Sequence, residues 1–221
     1  MLRWLFPVRC PFCGRILSGG YACPACLDAL PRPEENRLRP LAAGCGCAHL
    51  YVPFWYKDAV RSALHAFKFR DRPEYVRAFA PEIARLLERR YDMIVFAPMR
   101  YYHQNRRGYN QAELLARELA RLTDTPCVPL LRKDRANRAQ HGLSAEERTE
   151  NVRDVYSVRG VVPGQAVLLV DDVVTTGNTM RAMASCIWDA GADLVDGAAY
   201  AAVEPREPDR HPDYSDRERG R

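Results

Sequence analysis

One segment constrains the fold of this chain more than any other. An uninterrupted apolar run at residues 166–170 ends in two acidic residues, Asp171 and Asp172, and a turn rich in Thr and Gly follows. Residues 178–190 have the periodicity of an amphipathic helix. A continuous apolar run is typical of a strand buried on both faces, as in parallel sheets. The segment therefore predicts a strand–turn–helix unit of an α/β protein.

The rest of the chain repeats this alternation. Apolar runs predict strands at 51–56, 93–96, 127–131 and 194–203, and helical periodicity predicts helices at 58–69, after Pro73, and at 111–122. Strands that alternate with helices predict a parallel sheet flanked by helices. A length of 221 residues suits one such domain with a small additional module.

The acidic pair and the turn after it form the principal candidate site. In open α/β sheets, ligands bind at the carboxyl edge of the strands. The hydroxyls of Thr175, Thr176 and Thr179, with the free N–H groups of a helix start, predict a phosphate cradle. Gly177 permits a close backbone approach, and carboxylates beside a phosphate suit a ligand held with Mg²⁺. The alternative is an acidic turn in which a threonine merely caps the helix.

A basic segment forms the second candidate site. The chain carries a net charge of +5, and residues 97–153 hold 11 Arg and Lys against 7 Asp and Glu. Arg100 and the Arg106–Arg107 pair follow the strand predicted at 93–96, and Gly108, Tyr109 and Asn110 precede a helix. Paired arginines before a helix start suit a diphosphate. The alternative is a solvated basic turn.

A third signal lies in the polar loop around residues 138–144. Arg138, Gln140, His141 and Gly142 fit a mobile loop that closes over a site and excludes water. The alternative is an ordinary surface loop, and the sequence of this loop taken alone favours that alternative.

Two Cys-x-x-Cys pairs predict a metal site near the N-terminus. Their four members are Cys10, Cys13, Cys23 and Cys26. Each pair can present two thiolates from a tight turn, and two such turns complete a tetrahedral Zn²⁺ site. Because thiolates fill all four positions, the predicted zinc is structural. Disulfides are the alternative, which a reducing compartment disfavours.

The other four cysteines carry weaker signals. Cys45 and Cys47, with His49, allow an added ligand, a second metal site or unliganded thiols. Cys127 and Cys186 fit a hydrophobic core better than a chemical role.

The domain organisation follows from these patterns. We expect a zinc-binding module and linker at 1–50, with 31–44 as linker or loop, a domain at 51–203, and a disordered charged tail at 204–221. Residues 144–147 predict the start of a short helix. No apolar run approaches the length of a membrane span, and the first seven residues do not make a signal peptide, so a cytoplasmic location is expected.

Residues 167–179 resemble the phosphoribosyl pyrophosphate (PRPP) motif of type I phosphoribosyltransferases. The resemblance implies that Asp171 and Asp172 are the catalytic residues at the ribose and its transition state. It implies a PRPP-phosphate site made of Val173, Val174, Thr175, Thr176, Gly177, Asn178 and Thr179. It also implies a pyrophosphate site made of Arg100, Arg106, Arg107, Gly108, Tyr109 and Asn110.

The order of the motifs resembles the ComF (ComF/GntX) family over about residues 4–203. This resemblance implies a type I phosphoribosyltransferase fold with an N-terminal four-cysteine zinc module. It also implies Mg²⁺-PRPP as donor, transfer of the phosphoribosyl group to an unidentified nitrogen acceptor, and a link to competence and DNA uptake. The alternative is a non-catalytic PRPP- or nucleotide-binding module whose partners are competence proteins or single-stranded DNA. The chain departs from the family pattern at Asn137, where many members have Thr, and at the Cys45–Cys47 spacing.

Overall fold

The computed structural model describes residues 7–99, 108–133 and 155–205 of the chain. Its helices are α1 (Pro24–Ala29), α2 (Glu35–Cys45), α3 (Asp58–Phe69), α4 (Val76–Ala84, preceded by a 3-10 turn at Pro73–Tyr75), α5 (Gln111–Thr123) and α6 (Asn178–Asp189). Its strands are β1 (Leu50–Tyr51), β2 (Met93–Phe96), β3 (Cys127–Val128), β4 (Leu131–Lys133), β5 (Tyr156–Val158), β6 (Ala166–Val174) and β7 (Leu194–Ala202).

Within these residues, five strands form a parallel sheet in the order β1-β7-β6-β2-β3. Leu168 of the central strand β6 is in register with Ile94 of β2 and Asp196 of β7. The predicted α/β class with a parallel sheet flanked by helices is therefore confirmed.

Both faces of the sheet are buried, which explains the continuous apolar run of β6. Leu168 and Val170 belong to a core shared with residues of α3, α4 and α5. Val167 and Leu169 belong to a second core, which contains residues of α2 and α6. Successive strand side chains point to opposite faces, so a strand covered on both sides is apolar throughout.

Most predicted elements are confirmed close to their boundaries. The helix predicted at 58–69 is α3, and those at 111–122 and 178–190 are α5 and α6. The strand at 93–96 is β2, and the strand at 194–203 is β7 with one residue fewer. The strand predicted at 166–170 continues to residue 174, so both acidic residues lie inside it.

Two strand predictions are wrong in extent because prolines interrupt them. The strand predicted at 127–131 is two strands separated by Pro129: β3 joins the sheet, whereas β4 pairs antiparallel with β5. The strand predicted at 51–56 is reduced to β1, and Pro53 follows two residues later. Proline has no N–H to donate to a strand ladder.

The prediction of a linker or loop at 31–44 is also wrong, because most of this segment forms helix α2. Its apolar residues Leu38, Leu41, Ala42 and Cys45 recur at helical spacing and face the second core. Their burial outweighs the hydrogen bond lost at Pro40. Gly46, with φ +68°, ends the helix, and its N–H and that of Cys47 bond back to carbonyls of α2.

Other parts of the prediction lie outside the described residues. The short helix expected from residue 144 does so completely, and of the tail at 204–221 only Glu204 and Pro205 are described. Among the described residues, no helix combines the length and apolar character that a bilayer crossing requires.

Candidate functional site

The acidic pair lies near the carboxyl end of the central strand β6. Asp172 pairs with Lys68 of α3, whose Nζ lies 2.7 Å from its carboxylate. The Asp171 carboxylate accepts a hydrogen bond from the backbone N–H of Asp172 at 2.7 Å. Burial, together with the neighbouring Asp172 charge, raises the pKa of Asp171 to about 7. The pair therefore combines one carboxylate that forms an ion pair with a lysine and one that protonates more readily than an ordinary Asp.

Two of the chain's three lysines affect the pKa of Asp171, and the sequence pattern predicts a role for neither of them. Lys68 and Lys133 both lower the pKa of Asp171 through their positive charge, against the larger effect of burial. The third, Lys57, forms a surface ion pair with Glu204. The one available signal is the rarity of lysine in a chain with 30 arginines, which by itself indicates only a codon preference.

The predicted phosphate loop follows the pair directly. Thr175, Thr176, Asn178 and Thr179 are exposed, while Val174 and Gly177 are buried and Val173 is half-buried. No side chain of the described residues caps the start of α6. The first N–H groups of a twelve-residue helix, which carry partial positive charge, therefore face the loop without a side-chain acceptor.

Gly177 has a second structural reason to be glycine. Its φ is +77°, and a Cβ at this position would lie 2.8 Å from Cys45 Sγ. The end of α2 thus packs closely against the predicted phosphate loop. Arg181 and Trp188 of α6 fix this approach by donating hydrogen bonds to the Gly44 and Gly46 carbonyls at 2.5 and 2.9 Å.

The described half of the predicted pyrophosphate segment lies at the start of α5. Asn110 is buried and is used as a structural link: its Oδ1 accepts from Ala112 N at 3.0 Å, and its Nδ2 donates to Ala97 O at 2.9 Å. The Tyr109 hydroxyl donates to the carbonyl of Phe67 in α3. Gly108 is exposed, with φ +79°.

Several predicted site residues lie outside the described residues. They are Arg100, Arg106 and Arg107 of the pyrophosphate segment and Arg138, Gln140, His141 and Gly142 of the predicted mobile loop.

Tyr200 of β7 connects the acidic pair with the segment at 108–110. Its ring is fully buried, and its hydroxyl donates to the Gln111 carbonyl at 3.2 Å. Burial, then the charges of Asp172 and Tyr109, raise the pKa of Tyr200 well above its usual range. Two segments that are about 60 residues apart in sequence therefore meet around one side chain.

The four predicted metal ligands come together in space. The sulfur atoms of Cys10, Cys13, Cys23 and Cys26 all lie within 4.8 Å of one another. Cys23 Sγ is 3.0 to 3.6 Å from the other three. A regular tetrahedron of sulfurs at the Zn–S distance of about 2.3 Å has edges of about 3.8 Å, so the cluster is compatible with zinc.

The other four cysteines lie in the hydrophobic cores or pack against them. Among the described residues, the four-cysteine group is the one cluster of His, Cys, Asp and Glu close enough to hold a metal. Cys45 and Cys47 are buried in the second core, and burial raises the pKa of the Cys45 thiol to about 11 and that of Cys47 further. Cys127 and Cys186 are half-buried against the cores, as expected.

The chain matches the model of one protein family and is similar to proteins named for competence or DNA utilization. The model of the phosphoribosyl transferase domain family matches residues 104–218. "DNA utilization protein YhgH" of Escherichia coli K12 is 31% identical over 201 residues, which are 84% of this chain and 80% of that protein. "Competence protein F" of Haemophilus influenzae is 28% identical, covering 72% of this chain and 79% of that protein. "Competence protein ComFC" of Bacillus subtilis is 27% identical, covering 82% and 72%.

Solved structures give weaker likenesses. The glutamine PRPP amidotransferase of B. subtilis, complexed with ADP and GMP, is 22% identical with a TM-score of 0.45; the match covers 62% of this chain and 30% of that chain. Adenine phosphoribosyltransferase of Thermoanaerobacter pseudethanolicus is 20% identical with a TM-score of 0.39, covering 61% and 83%.

Proposed function

Because this chain belongs to the phosphoribosyl transferase domain family, and within it to the ComF family, we propose that it binds Mg²⁺-PRPP at the carboxyl edge of its sheet. We further propose that it transfers the phosphoribosyl group to a nitrogen acceptor. One observation carries the proposal: an acidic pair inside the central strand leads directly into an exposed Thr-rich loop, at a helix start that no described side chain caps. This arrangement offers oxygen acceptors for ribose hydroxyls next to N–H donors for a phosphate.

Different residues bind different parts of PRPP, the proposed donor. The loop at 173–179 holds the 5-phosphate, and the acidic pair holds the ribose hydroxyls. As pyrophosphate leaves the anomeric carbon, positive charge develops on the ribose ring, and the carboxylates stabilise it. Lys68 forms an ion pair with Asp172 at 2.7 Å, beside Asp171, whose pKa burial raises to about 7.

The segment from Arg106 to Asn110, with Arg100, holds the pyrophosphate, and the loop around His141 closes over the site. Carboxylate and hydroxyl oxygens are the ligands that Mg²⁺ prefers, so the donor set fits the ion. When bound, Mg²⁺ neutralises charge on the departing pyrophosphate.

In the N-terminal module, Cys10, Cys13, Cys23 and Cys26 would bind Zn²⁺ as a structural ion. Their four sulfurs complete a tetrahedral shell and leave no open position for catalysis. We also place the protein in the cytoplasm, where thiolates stay reduced and available to a metal.

The test is pyrophosphate release from PRPP in the presence of Mg²⁺ and a panel of nucleobases and amines. Release that depends on one acceptor, and that disappears in the Asp171→Asn/Asp172→Asn double variant, is the expected result. The matched control is Asp193→Asn, an exposed carboxylate just before the amino end of β7, which should leave release unchanged. Equal release by the double variant would contradict the assignment.

A second candidate function is favoured by the names of the relatives, which describe competence and DNA utilization rather than a reaction. In it, the same pocket binds PRPP or a nucleotide without turnover, and the protein contacts competence proteins or single-stranded DNA. Binding of Mg²⁺-PRPP without pyrophosphate release for any acceptor favours this candidate. A steep loss of single-stranded DNA affinity with added salt would indicate phosphate contacts.

A further inference from the structure

We propose that the four-cysteine module, acting through Phe12, positions the proposed PRPP site, so that a metal-loaded module raises the affinity for Mg²⁺-PRPP. The connection is a row of five aromatic rings in successive contact, called here the aromatic ladder: Phe12, Phe79, Tyr200, Phe67 and Tyr109. This inference rests on the proposed binding of PRPP and adds a regulatory input to that site.

The ladder begins between two ligands. Phe12 lies between Cys10 and Cys13, in a turn closed by hydrogen bonds of 2.9 Å from Gly14 N to Cys10 O and from Cys10 N to Arg15 O. When sulfur atoms on both sides of Phe12 are bound to one ion, the turn has a single geometry. A fixed turn holds the Cα–Cβ bond of Phe12 in one direction, towards the rings against which it packs.

Phe12 points into the domain. Its ring packs edge-on against Phe79 at 5.5 Å and against Phe54 at 6.3 Å. Both partners are fully buried and belong to the core under α3, α4 and α5. The module is therefore in contact with the core through a side chain that its own ligands orient.

The middle of the ladder is closely packed. The Phe79 and Tyr200 rings are 5.2 Å apart at an interplanar angle of 81°, and the Tyr200 and Phe67 rings are 5.3 Å apart at 69°. All three are completely buried. Protein interiors are packed about as densely as organic crystals and contain few voids, so a displaced ring displaces the ring against which its edge rests.

The far end touches both halves of the proposed site. The rings of Phe67 and Tyr109 lie 5.6 Å apart. The backbone carbonyl of Phe67 accepts a hydrogen bond from the Tyr109 hydroxyl. The next residue, Lys68, holds Asp172 at 2.7 Å. Tyr200, one step back, donates to the Gln111 carbonyl at the start of α5. A shift of Phe67 or Tyr200 thus moves Tyr109, the start of α5 and the partner of the acidic pair together.

A purely structural role for the module makes a different prediction. If the module only adds stability, any loss of packing between it and the core lowers the melting temperature and leaves PRPP affinity intact. Tyr21 supplies the matched control. It packs from the same module onto the same core and contacts Arg77, which donates to its hydroxyl at 2.7 Å, but it is not part of the ladder.

The first experiment measures the dissociation constant of Mg²⁺-PRPP by calorimetry on zinc-loaded protein. Phe12→Ala should weaken binding about tenfold, within the range of coupling along packed networks. Phe12→Leu, which keeps an apolar contact, should lose less, and Tyr21→Ala should stay within about twofold of wild type. Zinc content is measured for each variant. Zinc-loaded, folded Phe12→Ala that binds like wild type, or a Tyr21→Ala that loses as much, overturns the inference.

The second experiment tests whether PRPP binding raises the affinity for zinc, as zinc is proposed to raise the affinity for PRPP. If zinc raises PRPP affinity by some factor, PRPP must raise zinc affinity by the same factor. Competition with a colorimetric zinc chelator should show tighter zinc binding when Mg²⁺-PRPP is added to wild type, and no such gain in Phe12→Ala. No gain in a wild type that binds PRPP overturns the inference alone. A wild type that does not bind PRPP overturns the proposed function and the inference with it.

Discussion

Replacing Gly177 by alanine should destabilise the protein more than its backbone conformation alone explains. The residue has φ +77° at the start of α6, and the added Cβ would lie 2.8 Å from Cys45 Sγ. Real Cβ atoms do not approach a sulfur so closely, and Cys45 is completely buried against the second core. Relief of this contact therefore requires α2 and the proposed phosphate loop to move apart.

The magnitude has two parts. The left-handed conformation costs a non-glycine residue about 1 kcal/mol. Overpacking a dense core costs about 1–3 kcal/mol more. The free energy of unfolding should therefore fall by about 2–4 kcal/mol, which lowers the melting temperature of a chain of this size by about 5–15 °C.

Urea denaturation of two variants separates these parts. Gly164 has a similar φ of +69°, but the nearest atom to its added Cβ would be Asp193 Oδ2 at 3.9 Å. Gly164→Ala should therefore show the conformational part alone, about 1 kcal/mol. In a Cys45→Ala background, Gly177→Ala should lose its extra 1–3 kcal/mol, on the order of a contact coupling energy. Equal losses at the two glycines, or no rescue by Cys45→Ala, would refute the packing argument.

Three further predictions concern charged groups. Lys68→Met should lower the free energy of unfolding at pH 7.5 by about 1–3 kcal/mol, because it removes the cation that pairs with Asp172, and the loss should shrink in an Asp172→Asn background. Asp196→Asn should cost about 2–4 kcal/mol in urea denaturation, because this fully buried carboxylate accepts from the Tyr91 hydroxyl at 2.7 Å; a loss below that of Tyr91→Phe would contradict it. The pKa of Asp171 is about 7 in the folded protein, above its ordinary value of 3.8. The stability that protonated Asp171 contributes is therefore present at low pH and is lost as the pH rises through 7. Asp171→Asn should therefore melt higher than wild type at pH 8 and converge with it near pH 4, and a gap independent of pH would contradict this.

Elements with strong hydrophobic periodicity could be predicted from the sequence. Helix α3 begins and ends where its apolar spacing predicts, and β6 is recognisable because both of its faces are buried. Helix α2 could not be predicted, because Pro40 and several charged residues suggest a loop, and its stability comes from contacts with a distant core. Tertiary packing overrides local propensity in such a segment.

The candidate site shows the same division. The acidic pair and the proposed phosphate loop are adjacent in sequence, so their residue pattern alone indicates a candidate site. Lys68 reaches Asp172 from a helix more than 100 residues earlier, and no local pattern marks it. The contact of Cys45 with Gly177 and the aromatic ladder likewise depend on which segments meet in space.

The central claim is tested most directly by calorimetric titration of Mg²⁺-PRPP into the wild-type protein and into Asp171→Asn/Asp172→Asn. We expect one site per chain and a loss of affinity of at least about a hundredfold in the double variant, since hydrogen bonds to charged groups contribute about 1.5–3 kcal/mol each. Asp193→Asn should bind like wild type. Absence of binding to the wild type, or equal affinity in the double variant, would contradict it.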